Sequence, residues 1–206
     1  MASLPAATST GFMRLVRQRR SRRTFADEPI SLESLSDCLY AGLAVDGWID
    51  HPILGELPHA MTPSAGALNP YEAYVLAQRV EGLSPGLYHY SAVEHTLGLE
   101  PRSQAFPAAL ALGGQQWAEQ AAALILLVAH FDRSMWKYRH PDAFRAVLIE
   151  AGHIGQNITL AATAHELAAV GSSTIADSVA EPALGLTALT EAFVYGIGLG
   201  IPRRGI

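Results

Sequence analysis

"DAFRAVLIEAGHIGQNITLAATAHELA" (142–168) is the stretch on which the fold turns. Pro141 stands at its first turn, and no further proline or paired glycine interrupts it, so the spacing predicts one helix of roughly 27 residues over Asp142–Ala168. At 100° per residue, Ala146, Glu150, His153, Asn157, Ala161 and Ala164 share one stripe, which is polar or small. Phe144, Val147, Leu148, Ile154 and Ile158 occupy the other faces, so the helix is apolar nearly all round and reads as buried. Polar groups inside such a helix need partners. His153 is then either a satisfied core histidine or part of an interface or cofactor cavity, and in both cases it can bond Asn157 one turn away.

Working outward, "AAALILLVAH" (121–130) is too short to span a bilayer and reads as a buried strand, and "EAFVYGIGLGIP" (191–202) as a second. Strands are also predicted at 71–80, 86–92 and 94–100, one or two short helices within 104–120, and a short strand or loop at 169–175. "SVAEPALGL" (178–186) is helical as far as Pro182 or Gly185. A helix at 11–20 runs into an arginine cluster. Ser31 caps a helix at 32–43, with Ser34 at the third position and apolar residues at 32, 35, 39 and 43. Residues 46–69, rich in proline and glycine, read as a long irregular loop, and loops of that length in compact domains are commonly functional. Residues 1–10 are expected to be disordered and 11–206 to form one α+β domain, an antiparallel-rich sheet flanked by helices around the long buried one.

Half of the 206 residues are hydrophobic and 16% are charged, which supplies a large core and favours a subunit interface. The net charge is −5, yet six arginines fall within residues 14–23. The remainder of the chain is acidic and no aromatics interleave the arginines, so a small anion suits the cluster better than nucleic acid. "RQRRSRRTF" (17–25) is either a solvated arginine face or a phosphate site in which guanidinium forks and the Ser21 hydroxyl converge. Arg203 and Arg204 near the C-terminus could join it. Acidic sequence rather than an apolar segment follows "SRRTF", so export is rejected and a cytoplasmic protein without membrane association is expected. Cys38 is the sole cysteine and reads as a core thiol. The eight histidines show no metal-ligand spacing.

Two segments are built to let backbone approach a ligand: "TPSAGALNPYEAYVL" (62–76), a Pro-Ser-Ala-Gly turn entering a strand, and "AVGSS" (169–173). A flat heteroaromatic ring with donors and acceptors on its edge suits such surfaces. "SMWKYRHPDAF" (134–144) holds the chain's only lysine, Lys137, beside Tyr138. Lys137 is either a surface residue at a helix start or a chemical group.

In this order the segments resemble the nitroreductase-type flavoprotein family, and most of all its SagB-type branch, the azoline dehydrogenases that oxidise thiazolines and oxazolines to thiazoles and oxazoles. The resemblance spans about residues 12–203 and rests on "RRSRRTF", "PSAGALNPYEAYVL", "PGLYHY", "EAGHIGQNITLAATAHELAAVGSS" and "GIGLGIP". It implies a nitroreductase-like fold and an intertwined homodimer with FMN at the subunit interface. Arg19, Arg20, Ser21 and Arg23 match the motif holding the phosphate and the flavin's polar edge. Pro63, Ser64, Ala65, Gly66 and Asn69 match the loop along the isoalloxazine, Gly171 and Ser172 the segment near N5, and Arg203 a late phosphate contact. Lys137-Tyr138 stands where the branch carries a catalytic pair. The implied reaction passes a hydride to FMN and a proton to a base tuned towards neutrality. The substrate is a small molecule, a peptide or a carrier-bound group. An NAD(P)H-dependent nitro- or quinone reductase and a non-catalytic flavin-binding subunit are the competing readings.

Overall fold

The structure is a computed structural model and describes residues 10–101, 106–187 and 189–203. The expected disordered start therefore lies almost wholly outside the described residues, as does Arg204. Thr10 caps helix α1 (Gly11–Gln18) by accepting from the Met13 amide at 3.2 Å. Helix α2 (Leu32–Leu43) starts as its sequence demands, with Ser31 Oγ accepting from the Ser34 amide at 3.1 Å. Its buried face carries Leu35, Cys38, Leu39 and Leu43. At Gly42 the backbone comes so close to the long helix that a Cβ would stand 2.6 Å from Ile158 Cγ1.

The first departure from expectation follows. Residues 46–69 are not an irregular loop throughout, because strands β1 (Val45–His51) and β2 (Gly55–Ala60) form an antiparallel hairpin. Pro58 is tolerated because this is a two-stranded sheet, in which each strand has a free edge. Beyond it come β3 (Tyr71–Ala77), β4 (Gly86–Ser91) and β5 (Thr96–Leu99), a meander as expected. Short helices α3 (Ala108–Ala111) and α4 (Trp117–Gln120) lead to β6 (Ala123–His130), then α5 (Phe131–Met135), which was not foreseen. The long helix α6 (Asp142–Ala164), β7 (Ala168–Ser172), α7 (Asp177–Leu184) and β8 (Glu191–Gly200) complete the chain. Helix α7 runs through Pro182 and stops at Gly185, whose φ of 70° is the left-handed cap.

The main sheet has the order β5-β4-β3-β6-β8-β7, with every neighbouring pair antiparallel. At its centre, β6 shows why its sequence is continuously apolar. Ile125 and Leu127 join the cluster under α2 and α6, while Leu124, Leu126 and Val128 join the cluster with Leu112, Trp117 and Phe193 on the opposite face. A strand covered on both sides has no polar face to show, and each large aliphatic side chain buried this way contributes roughly 1.5–3 kcal/mol. Among the described residues no helix is long and apolar enough to cross a membrane.

Helix α6 is 23 residues long, not 27. It ends before Glu166, whose φ of 58° turns the chain towards β7. Its inner face is buried through Val147, Glu150, Ala151, Ile154 and Ile158. The outer face is not, since Phe144 and Ile149 are 52% and 54% exposed, and His153 is exposed too. The expectation of a helix buried all round fails within one chain, and with it the core-histidine reading of His153. Asn157 bonds the Ala41 carbonyl and Thr62 Oγ1, each at 3.1 Å, rather than His153.

Candidate functional site

The loop after β2 is held at its start by buried Thr62, whose Oγ1 donates to the Gly42 carbonyl at 2.7 Å. It then folds on itself. Ser64 Oγ accepts from the Asn69 amide at 2.9 Å, and the Ser64 carbonyl accepts from the Ala67 amide at 3.1 Å. Gly66, Ala67 and Asn69 have φ of 68°, 56° and 44°. Left-handed backbone at two non-glycine residues costs energy, and it persists where the surroundings impose it.

Lys137 and Tyr138 close over the loop at Gly66. Lys137 Nζ donates to the Gly66 carbonyl at 3.4 Å. A Cβ added at Gly66 would stand 2.6 Å from Tyr138 Oη and 2.7 Å from Lys137 Nζ, so the pair sits this close only over a glycine. The ammonium also lies 5.6 Å from the Tyr138 ring centre. Two segments that are 71 residues apart in sequence are thus brought together, the candidate catalytic pair on the candidate flavin loop.

The short helix α5 sets the pair there. Arg133, one turn before Lys137, forms an ion pair with Glu72 at the start of β3 and donates to the Asn69 carbonyl at 3.5 Å. The His89 ring bonds the other Glu72 oxygen at 2.8 Å. Burial raises the Glu72 carboxyl, but the bonds from His89 and Arg133 more than offset it and hold the pKa at about 2.

Glu150 was placed on the polar stripe of the long helix without a role. It is 5% exposed and accepts from the Ala65 amide at 3.3 Å, tying α6 to the loop. Burial pushes its pKa up to about 7, against hydrogen bonds from Ser64 and the Ala65 amide. An acid in the middle of an apolar helix was the available signal; its partner could not be read, because it lies 85 residues away.

The arginine segment lies elsewhere on α6. Ser21 bridges Ala169 of β7 in parallel, the Arg22 amide donates to the Ala169 carbonyl at 2.9 Å, and Phe25 pairs with Pro202. Backbone pairing therefore sets the segment that carries Arg19, Ser21 and Arg23 against β7 and the chain just after β8, the stretches that carry Gly171, Ser172 and Arg203. Among the described residues none of Arg19, Arg20, Arg22, Arg23 and Arg203 forms an ion pair with an acid. Arg20 donates to the Arg17 and Arg19 carbonyls at 2.6 and 2.8 Å, closing the end of α1, and with Arg22, Thr163 and Glu166 lines a cavity of ≈ 430 Å³. Ser172 Oγ accepts from Gln115 Nε2 at 2.6 Å. At Gly171 a Cβ would stand 2.1 Å from Tyr195 Oη, and at Gly155 2.3 Å from Tyr195 Cε1, so two glycines make the slot for that ring.

The predicted residues thus form two groups, the loop with Lys137 and Tyr138, which Glu150 joins from α6, and the arginines with Gly171, Ser172 and Arg203. Glu150 and Thr163 mark the two places on α6, about 20 Å apart at 1.5 Å per residue. No hydrogen bond or ion pair among the described residues joins the groups. Guanidinium groups without acid partners fit a phosphate, and a glycine-bearing loop fits the approach of a flat ring. Both are what FMN requires. No group of three or more His, Cys, Asp or Glu among the described residues is arranged to hold a metal ion.

Comparison with known proteins gives the same direction. Residues 16–201 match the family described as the nitroreductase family. "Putative nitroreductase MJ1384" of Methanocaldococcus jannaschii is 30% identical over 162 residues, which are 78% of this chain and 77% of that protein. The trifolitoxin-processing protein TfxB of Rhizobium leguminosarum bv. trifolii is 27% identical over 168 residues, 79% of this chain but only 45% of TfxB. A Desulfovibrio desulfuricans chain, also named for the nitroreductases and solved in complex with FMN, superposes with a TM-score of 0.66 at 22% identity, over 96% of this chain and 89% of that one. A chain of the E. coli microcin synthetase McbBCD complex, solved with truncated pro-MccB17 bound, superposes with a TM-score of 0.72 at 20% identity, over 98% and 76%.

Proposed function

The chain belongs to the nitroreductase family, and from that membership we propose that it is an FMN-dependent oxidoreductase of the SagB type. In this reading it oxidises a thiazoline or oxazoline ring, carried on a peptide or a carrier, to the thiazole or oxazole. The observation that carries the reading is the convergence of Lys137 and Tyr138 on Gly66. TfxB, named for trifolitoxin processing, and the microcin synthetase complex, solved with truncated pro-MccB17 bound, support a substrate of that class.

FMN, when bound, supplies the hydride acceptor. Arg19, Arg23 and Arg203 would bind its phosphate, with the Ser21 hydroxyl as a further donor, and Arg20 keeps the end of α1 in place through the Arg17 and Arg19 carbonyls. The loop Pro63–Asn69 would hold the ring, and Gly171 and Ser172 would offer it backbone N–H groups. Lys137 or Tyr138 takes the ring proton, and Arg133 and Glu72 keep the pair over the loop. A second copy against the exposed face of α6, at Phe144, Leu148 and Ile149, would cover apolar surface and bring one chain's loop to the other's arginines. That is the homodimer of this reading.

The naming of the M. jannaschii relative favours a second reading, an NAD(P)H-dependent nitro- or quinone reductase, which needs no lysine base. One experiment separates the two. The purified protein is loaded with FMN and bleached anaerobically, with a thiazoline- or oxazoline-bearing peptide in one arm and NADPH in the other. Bleaching by the azoline that Lys137→Ala abolishes, with FMN still bound, supports the dehydrogenase. Bleaching by NADPH alone, with nitroaromatic turnover intact in Lys137→Ala, supports the reductase. Failure to take up FMN sinks both.

A further inference from the structure

The hairpin β1–β2 borders the candidate flavin loop. Ile49, Pro58 and His59 on its side face Pro63, Ser64 and Asn69 across a cavity of ≈ 210 Å³, room for one heterocycle or one side chain. The hairpin is irregular at one place. Val45 pairs with Ala60 and Gly47 with His59, which leaves Asp46 as the extra residue of a bulge. Bulges re-aim side chains, and here Asp46 Oδ1 lies 2.6 Å from His59 Nδ1.

The polar atoms of this cavity can be accounted for one by one. Ser64 Oγ accepts from the Asn69 amide and donates to Glu150, and Thr62 Oγ1 donates to Gly42 and accepts from Asn157. The Asn69 side-chain NH₂ donates to the Pro58 and Ala67 carbonyls at 3.4 and 3.2 Å, which fixes its orientation. The carboxylate of Asp46 can only accept, so His59 Nδ1 carries the hydrogen, and in the neutral ring Nε2 is then an acceptor. His59 Nε2 and Asn69 Oδ1 have no hydrogen-bond partner among the described residues. A cavity that offers acceptors and has its donors occupied selects a ligand that brings a donor. Ile49, Pro58 and Pro63 give the cavity apolar contact surface for an uncharged group, and a neutral N–H is the donor taken forward.

We propose that this cavity receives the amide N–H adjoining the substrate's ring, with His59 Nε2 as the acceptor and Asp46 as the residue that positions it. The substrate is then a secondary amide, peptide- or carrier-linked, and not an ester or a free acid. The ring's identity rests on the azoline reading above; the demand for an N–H rests on the cavity.

The test uses the FMN-loaded protein and two matched pairs, an N-methyl thiazoline-4-carboxamide with its methyl ester, and the corresponding thiazoles as unreactive probes. Affinity for the thiazoles is measured by titration, and the His59 ring by ¹⁵N NMR. The amide is expected to bind about tenfold tighter than the ester and to shift the His59 Nε2 resonance. His59→Phe removes the preference, and Asp46→Asn weakens it while redistributing the hydrogen between the ring nitrogens. Equal affinities, or an Nε2 resonance that ignores the amide, overturn the proposal. A His59-dependent amide preference without any azoline oxidation upholds the cavity assignment and sinks the oxidation reading. Azoline oxidation with no amide preference does the reverse.

Discussion

Gly66→Ala separates the chemistry of the site from its stability. Two costs can be worked from the structure. Gly66 has φ of +68°, and a left-handed residue bearing a Cβ costs about 1–2 kcal/mol. In a domain of this size that lowers Tm by roughly 2–8 °C. The second cost is steric. The new Cβ would stand 2.6 Å from Tyr138 Oη and 2.7 Å from Lys137 Nζ, where ordinary contact is about 3.5 Å, so both groups must withdraw by about 1 Å. They are the far ends of flexible side chains, so the retreat adds little to the stability loss. Its effect on rate is larger, because a 1 Å misplacement of a reacting group can cost about 100-fold. The assay is single-turnover flavin bleaching by an azoline peptide, alongside thermal unfolding and FMN titration. Gly82→Ala is the control, since Gly82 has φ of +78° with nothing within 4 Å of its added Cβ, so it carries the backbone cost without the clash. Gly66→Ala is expected to lose about 100-fold in bleaching rate with FMN still bound, and Gly82→Ala to lose stability alone. Bleaching by Gly66→Ala within about threefold of the unmodified protein would refute the claim that the pair acts from its place over the loop.

Glu150 makes stability depend on pH in an unusual sense. Its folded pKa of about 7 lies above the ordinary 4.5, so between those values the folded state holds a proton that the unfolded state has lost, and stability falls as pH rises through that window. Glu150→Gln removes this titration; by pH 8 it should be the more stable protein by about 3 kcal/mol, about 6–12 °C in Tm, with no such gain at pH 4.5. Parallel Tm–pH curves for the two proteins would contradict the assignment. Arg133→Ala should cost about 1 kcal/mol, and it should move the Glu72 carboxyl from about 2 towards the ordinary carboxylate range, read by ¹³C NMR of the side chain. It should also slow azoline bleaching, since α5 loses a tie to β3; a Glu72 titration that does not move would remove Arg133 from its place in the site.

What the sequence made legible is what its neighbours in sequence decide. Ser31 and Ser34 are three residues apart, and the cap they form is present at 3.1 Å. The unbroken apolar run of β6 announced a buried strand, and the structure covers it on both faces. Two expectations failed for the opposite reason. The prolines and glycines of 46–69 read as a loop, although a free-edged two-stranded hairpin accepts a proline that a central strand would not. The apolar surface of α6 read as buried all round, but a hydrophobic pattern counts the faces that need cover and not the chains that supply it. Phe144, Leu148 and Ile149 remain exposed on one chain.

The same distinction orders the site. Lys137 and Tyr138 could be singled out because they are adjacent and because one of them is the chain's only lysine. Gly66 could be singled out because a Pro-Ser-Ala-Gly turn advertises itself. That Lys137 reaches Gly66, and that Glu150 holds the same loop from behind, depends on pairings 71 and 85 residues long, and no local pattern encodes those. His59 and Asp46 were closer, 13 residues apart, and still went unread. Their meeting requires the hairpin and, within it, a bulge that displaces Asp46 by one residue, and the sequence over 46–69 had been given no regular structure in which a bulge could exist. The residues most exposed to this blindness are the ones that position others. A reactive group is chosen for its chemistry and shows as an odd residue type; the acid or arginine that aims it is chosen for its place, and place is settled only when distant segments meet. Glu72, Arg133, Glu150 and Asp46 are all of that second kind.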